Sequence, residues 1–299
     1  MKRHLRLLAT ALVVTTGLTL AGCSTSSSSN SAHTGLTIVT STDVWASVAS
    51  AVAGEHATVT ALYSSPDGDP HEFTPSPKDS LKIADADVVL MNGGHYDQYM
   101  EDAEKAKSAT VINAFAIHGG STAAGKTNEH VFYDLATVAT VAHRLADALA
   151  AKDPADATVF QTNATSFSNS IAVIRGRVAE IKAKAAGTRV AQTEPLALYL
   201  LDEAGLVDAT PQGFEDAIEA GQDPSAADTA AIQDLLRNKE VKALLYNTQA
   251  TDETTKALRT IADKAGLPVV SLTETLPAGK TYLTWQTANV EAIASAVGA

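Results

Sequence analysis

The chain has 299 residues, with 22 lysines and arginines against 34 aspartates and glutamates and a formal net charge of −12. That balance argues against nucleic acid as a partner, since phosphates call for a basic face, and favours cations or cationic surfaces. A single cysteine excludes an internal disulfide, so the folded part must take its stability from its core.

The first residues form a targeting segment. Lys2, Arg3 and Arg6 make a positive start, and Leu7 to Leu20 is an apolar run too short to serve comfortably as a permanent membrane span. The run ends in Leu20-Ala21-Gly22-Cys23, which resembles a bacterial lipoprotein signal. Residues 1–22 are therefore expected to be cleaved, leaving Cys23 lipidated and the protein anchored to the outer face of the cytoplasmic membrane. Losing those three cations takes the balance from −12 to about −15. Residues 23–35 follow as a Ser-rich, uncharged tether with too little apolar surface to order itself.

Beyond the tether, strand-like and helical runs alternate. Leu36 to Thr40, Ala57 to Tyr63, Asp87 to Met91 and Thr110 to Ala114 read as strands. Helical runs lie between and after them: the face of Val44, Trp45, Val48 and Val52, then Lys78 to Ala84, Gln98 to Lys107 and Asp134 to Ala150. Phe160, Ala164, Phe167, Ile171, Ile174, Val178 and Ile181 then step by three and four as one sustained stripe. A helix from Asp156 to Ala186, stopped by Gly187, would be about 45 Å long at ~1.5 Å per residue and outruns one small lobe. The second half repeats the alternation, with strands at Arg189 to Thr193, Val241 to Tyr246 and Pro268 to Thr273. Its helices are Leu196 to Ala204, Ala226 to Asn238, Asp252 to Ala265 and Thr287 to Val297, and the acidic stretch Glu215 to Asp223 reads as a loop. The expected fold is α/β, with two lobes (36–153 and 188–299), each a mostly parallel sheet flanked by helices, joined by a long linking helix over 154–187.

Four side chains stand at the ends of these elements. His71 lies in Asp69-Pro70-His71-Glu72-Phe73-Thr74-Pro75-Ser76-Pro77, where three prolines fix φ and remove backbone donors, so the loop is stiff. His130 lies at a helix entry, with Asn128 and Asp134 as candidate caps. Glu194 closes one strand and, ahead of the next helix, is also what a helix dipole favours. Glu274 closes another and reads equally as an exposed strand-end carboxylate. Each is weak alone. Together they bring two histidines from the first lobe and two carboxylates from the second to one cleft, a donor set that suits a divalent first-row metal. Of the other histidines, His95 and His118 fall near the expected cleft mouth, while His56 and His143 read as surface or helix positions.

These segments resemble the metal-binding solute-binding proteins of manganese/zinc ABC transporters, across essentially the whole mature chain. The proline loop is similar to that family's first-histidine loop, and Glu129-His130-Val131-Phe132-Tyr133-Asp134 to its second-histidine segment. That second segment usually carries proline where Glu129 and Leu135 stand. Ala191-Gln192-Thr193-Glu194 and Ser271-Leu272-Thr273-Glu274 are similar to the third and fourth ligand segments, the last with Glu where Asp is more usual. The resemblance implies an exported receptor with no catalytic role. It would capture Mn2+ ahead of Zn2+, with Fe2+ a further candidate, and deliver it to a membrane permease served by a cytoplasmic ATPase. It also implies a linking helix that allows modest lobe movement, and a monomer is expected. Two rivals remain at this point. One is a receptor for a metal chelate or other small molecule, disfavoured by only 5% aromatic residues; the other is a metal-dependent hydrolase, disfavoured by the lack of a His-Glu-x-x-His motif.

Overall fold

A computed structural model describes residues 35–104, 109–120 and 128–299. The signal segment, Cys23, the tether before Gly35, the end of the helix expected to reach Lys107 and residues 121–127 lie outside those described. In the first half, β1 (Leu36–Thr42), α1 (Asp43–Ala53), β2 (Ala57–Tyr63), α2 (Pro77–Asp85), β3 (Val88–Met91), α3 (Gln98–Glu104), β4 (Thr110–Asn113), α4 (Ala114–His118) and α5 (Leu135–Lys152) succeed one another. Then comes α6 (Ala157–Ala185). The second half holds β5 (Arg189–Gln192), α7 (Leu198–Ala204), β6 (Val207–Asp208), α8 (Gln212–Glu219), α9 (Ala226–Arg237), β7 (Leu244–Asn247), α10 (Glu253–Ala265), β8 (Val269–Leu272) and α11 (Tyr282–Val297).

Each half contains a four-stranded parallel sheet, ordered β2-β1-β3-β4 in one and β6-β5-β7-β8 in the other. The two orders are equivalent: in both, the chain moves outward from its first strand and then crosses back to the other side. Such a reversal opens a crevice beyond the carboxyl ends of the strands, where open α/β sheets hold ligands.

The stripe on α6 is buried as its spacing requires, from Phe160 to Ala185. Its 29 residues extend about 43 Å at ~1.5 Å per residue, and Gly187 follows at φ +79°. The helix packs on α1 and α5 of the first half and on α7 and α11 of the second. One apolar cluster consequently runs through both halves, from Ile38, Trp45 and Leu145 through α6 to Val190, Leu245 and Trp285. Smaller clusters lie under α2 and α3 and between α9 and α10.

Four elements depart from expectation. The stretch read as an acidic loop begins inside α8. Its large apolar residues on the interior are Phe214 and Ile218, beside a buried Glu215, so it carries too short an apolar stripe to be seen in sequence. α4 and the two-residue β6 are too short to show periodicity. Finally, α11 starts at Tyr282 rather than Thr287, because Thr281 and Thr284 close a capping box ahead of it.

The stripe yields a stability test. Ile171 is 1% exposed, whereas Val173 on the opposite face is 75% exposed. Ile171→Ala is expected to cost about 2–5 kcal/mol in urea unfolding, and Val173→Ala less than about 0.5 kcal/mol.

Candidate metal centre

The loop after β2 is built to hold His71 still. Asp69 accepts the His71 amide proton at 2.8 Å, and Pro70 opens one 3-10 turn over Pro70–Glu72. Phe73 then packs between the rings of Tyr63 and Tyr99, at 5.2 and 5.3 Å between centroids. Ser76 and Asp79 form a capping box that starts α2, with Pro77 at its first position.

His130 is held as firmly. Its amide donates to Asn128 Oδ1 at 2.9 Å, and the buried 3-10 turn Val131–Tyr133 follows. That turn is pinned to the second half: the Tyr133 hydroxyl donates to the Thr273 carbonyl, and the Tyr282 hydroxyl to the Phe132 carbonyl, each at 2.8 Å. Asp134 caps α5, as its position suggested.

Glu194 stands two residues beyond β5, and Glu274 two residues beyond β8. α7 begins only at Leu198, so Glu194 lies ahead of its first turn and the helix dipole does not account for it. The Glu274 amide donates to Gln249 Oε1 at 2.6 Å.

The structure brings all four side chains together, with one candidate ligand atom of each lying within 4.8 Å of the others. His71 Nε2 is 3.2 Å from Glu274 Oε2 and 3.7 Å from Glu194 Oε1. His130 Nε2 is 3.6 and 3.5 Å from the same two oxygens. Asn247, closing β7, donates its amide protons to Glu194 Oε2 and, at 2.8 Å, to Glu274 Oε1. Each carboxylate thus has one oxygen held by Asn247 and the other turned to the imidazoles. The Tyr96 hydroxyl donates to Glu274 Oε2 at 3.1 Å. Tyr96 is placed by a turn in which Gly93, Gly94 and His95 all have positive φ, and a Cβ on Gly93 would lie 2.2 Å from Asn113 Oδ1.

Glu274, His130 and Glu194 are buried, while the His71 side chain is 28% exposed, so the cluster meets solvent on the His71 side. Both ring nitrogens of His130 are buried with no hydrogen-bond partner. Separations of 3.5–3.6 Å from the carboxylates are too long for hydrogen bonds, but they leave space for an ion between donors.

The electrostatics are strongly coupled. Burial works against protonation of His71, yet its contact with the Glu274 carboxylate outweighs this and raises it to about 9. His130 is likewise driven well above its ordinary value, burial being outweighed by Glu194 and Glu274. Burial alone would raise Glu274, but the two imidazoles hold it below the usual carboxylate range. Two further acids lie behind the histidines. Burial pushes Glu219 up to about 7, and raises Glu129 as well.

The remaining described histidines are engaged elsewhere. His56 pairs with Asp156, His95 with Gln98 and His143 with Ser168, while His118 lies against Tyr199 and 3.5 Å from Asp134. Sequence reasoning missed Asn247, Tyr96, Gln249, Glu129 and Glu219 as neighbours of the cluster. Asn247 left a signal as a polar residue closing an otherwise apolar strand, and Glu129 one as a departure from an expected proline.

Comparison with known proteins agrees with this architecture. The family described as zinc-uptake complex component A, periplasmic (ZnuA) matches residues 38–296. The manganese-binding lipoprotein MntA of Bacillus subtilis is 29% identical over 267 residues, covering 84% of this chain and 83% of the relative. The metal ABC transporter substrate-binding lipoprotein SloC of Streptococcus mutans is 23% identical over 301 residues, covering 93% and 95%. Among solved structures, the solute-binding protein FpvC of Pseudomonas aeruginosa, in complex with Mn2+, shares the fold with a TM-score of 0.72 at 24% identity, over 88% of this chain and 98% of that one. The chain belongs to the ZnuA family and is a metal-binding, extracytoplasmic solute-binding protein of an ABC transporter, with a transport role rather than an enzymatic one.

Proposed function

We propose that His71, His130, Glu194 and Glu274 together bind one divalent metal ion, taken from outside the cell and delivered to a membrane permease powered by a cytoplasmic ATPase. The protein is held at the membrane through lipidated Cys23, works as a monomer, and has lobes 36–153 and 188–299 on either side of the linking helix 154–187. The observation that carries this reading is the convergence of two imidazole nitrogens and two carboxylate oxygens within 4.8 Å, around a buried histidine whose ring nitrogens have no hydrogen-bond partner. Spacing of that order fits a single ion.

Mn2+ is the proposed cargo, with Zn2+ as its main competitor and Fe2+ behind them. Two carboxylates and no thiolate make a donor set on the hard side, which favours Mn(II) in relative terms, although intrinsic affinities rise from Mn(II) towards Zn(II). Similarity to a manganese-binding lipoprotein supports Mn2+, while the description of the family names zinc and keeps Zn2+ as the competitor.

Metal analysis and calorimetric titration of the stripped protein test this. One equivalent of Mn(II) or Zn(II) is expected, with Mn(II) recovered from cells supplied with both ions. His71→Ala and Glu194→Ala should each weaken binding by more than the ~10–100-fold typical of losing an outer partner. A protein that takes up neither ion would remove the centre, and recovery of zinc alone would reassign the cargo.

Binding should also release protons. Both histidines carry raised pKa values in the metal-free site, His71 at about 9. At neutral pH a metal must therefore displace their protons. Affinity should fall as pH is lowered below about 9, by about tenfold per pH unit for each proton displaced. Glu274, depressed by the imidazoles, is ionised throughout that window and adds nothing. Calorimetry at pH 7 in buffers of differing ionisation enthalpy should show between one and two protons released per ion; none released would contradict ligation by these imidazoles.

A further inference from the structure

Each imidazole in the centre turns Nε2 inward, which leaves two Nδ1 atoms facing away. Both of them face a carboxylate. His71 Nδ1 lies 3.4 Å from Glu129 Oε1, and His130 Nδ1 lies 3.6 Å from Glu219 Oε1. The two acids come from unrelated places. Glu129 precedes His130 in the chain but serves His71, and Glu219 ends α8 in the second half yet reaches a histidine of the first.

Neither acid is loosely placed. The Glu129 carbonyl accepts from Asn92 Nδ2 at 2.8 Å, and that amide's oxygen accepts from the buried Trp45 indole at 3.2 Å. Asn128 acts on both members of the other pair. Its Oδ1 accepts the His130 amide at 2.9 Å, and its Nδ2 donates to Glu219 Oε1 at 3.4 Å and to the Pro195 carbonyl at 2.8 Å. The Tyr199 hydroxyl in turn donates to the Asn128 carbonyl.

A neutral imidazole carries one N–H, and whichever nitrogen holds it cannot bind a metal. Without a partner for Nδ1–H, the proton is free to sit on either nitrogen and the ring to turn. A fixed acceptor behind Nδ1 removes both freedoms and raises the basicity of the opposite nitrogen. Movements of a few tenths of an ångström bring 3.4 and 3.6 Å into hydrogen-bond range.

We propose, on the footing of the four-residue centre above, that Glu129 and Glu219 are positioning residues that accept the Nδ1–H of His71 and His130 respectively and so commit both rings to binding metal through Nε2. Glu219 thereby ties the second lobe to a ligand of the first.

Zn(II)-loaded protein with 15N-labelled histidine tests the assignment, because the ion is diamagnetic and long-range 1H–15N spectra separate the two ring nitrogens. Wild type should show both rings metal-bound at Nε2 and protonated at Nδ1. Glu219→Leu should lower Zn(II) affinity about 10–100-fold by chelator competition and expose the His130 Nδ1 proton to solvent exchange, leaving His71 unchanged. Glu129→Leu should do the converse. Glu219→Gln and Glu129→Gln, which keep a carbonyl acceptor, should restore the protected Nδ1 proton and bring affinity to within about tenfold of wild type. A merely structural role would not move one ring at a time. Wild-type affinity in the Leu variants, equal disturbance of both rings in either one, or no recovery in the Gln variants would overturn the pairing while leaving the centre intact. If wild type takes up no Zn(II), the centre itself falls and the pairing with it.

Discussion

Two carboxylates placed beside one another in a buried cluster are the constraint on which this structure turns. Glu194 and Glu274 share the amide of Asn247, and neither is exposed enough for water to screen them. Like charges in such a setting repel strongly, and each loses its hydration. The surroundings answer with oriented donors: Asn247 to both, Tyr96 to Glu274, and the Nε2 faces of two imidazoles. The two carboxylates raise both imidazoles above their ordinary value, so two ring protons are the charge that can offset them. A divalent ion that displaced those two protons would leave the net charge of the cluster unchanged. Such an exchange would avoid stranding charge in the interior.

Rigidity itself comes from how the sheets are wound. Each is parallel with equivalent strand order, so the ends of β2, β5, β7 and β8 all deliver loops to the same region. α6 packs on helices of both halves, and the main core is continuous through it. Wide separation of the two halves would expose part of that core, and at about 25 cal/mol per Å2 of apolar surface the cost rises quickly. Movements that leave the core closed and displace only the loops are far less expensive. The proline loop, open to solvent at His71, is the part of the cluster where access and limited movement coincide.

Much of this was legible in the sequence. The α6 stripe was plain because seven apolar residues kept their spacing over six turns. The strand runs were plain because they are short, β-branched and bounded by polar residues. The four cluster residues were legible only jointly, from their shared position at element ends, since His71 or Glu274 alone looks like any polar loop residue. Asn247 escaped for a topological reason. Its contacts exist because β7 lies between β5 and β8, which sets its side chain between Glu194 and Glu274, and chain order does not encode that neighbourhood. Glu219 escaped because α8 has little apolar face and reads as acidic loop. Glu129 was seen only as a departure from an expected proline, since its partner, His71, is nearly sixty residues away.

Gln249 shows how the two sides of the cleft are made to act together. Its Oε1 accepts from the backbone amides of Glu274 and Thr275, at 2.6 and 3.1 Å. Its Nε2 reaches the Thr275 hydroxyl at 2.6 Å and the carbonyls of Ser65 and Pro66 at 3.3 and 3.1 Å. The Thr275 hydroxyl adds its own bond to the Ser65 carbonyl at 2.8 Å. Ser65 and Pro66 begin the loop that carries His71. One amide therefore sets the backbone of a carboxylate on the second half and holds down the approach to an imidazole on the first. The loop cannot lift without breaking bonds to the same side chain that fixes the Glu274 backbone. Since these groups are neutral, their bonds are individually worth only about 0.5–1.5 kcal/mol, enough to favour the assembled cluster without locking it.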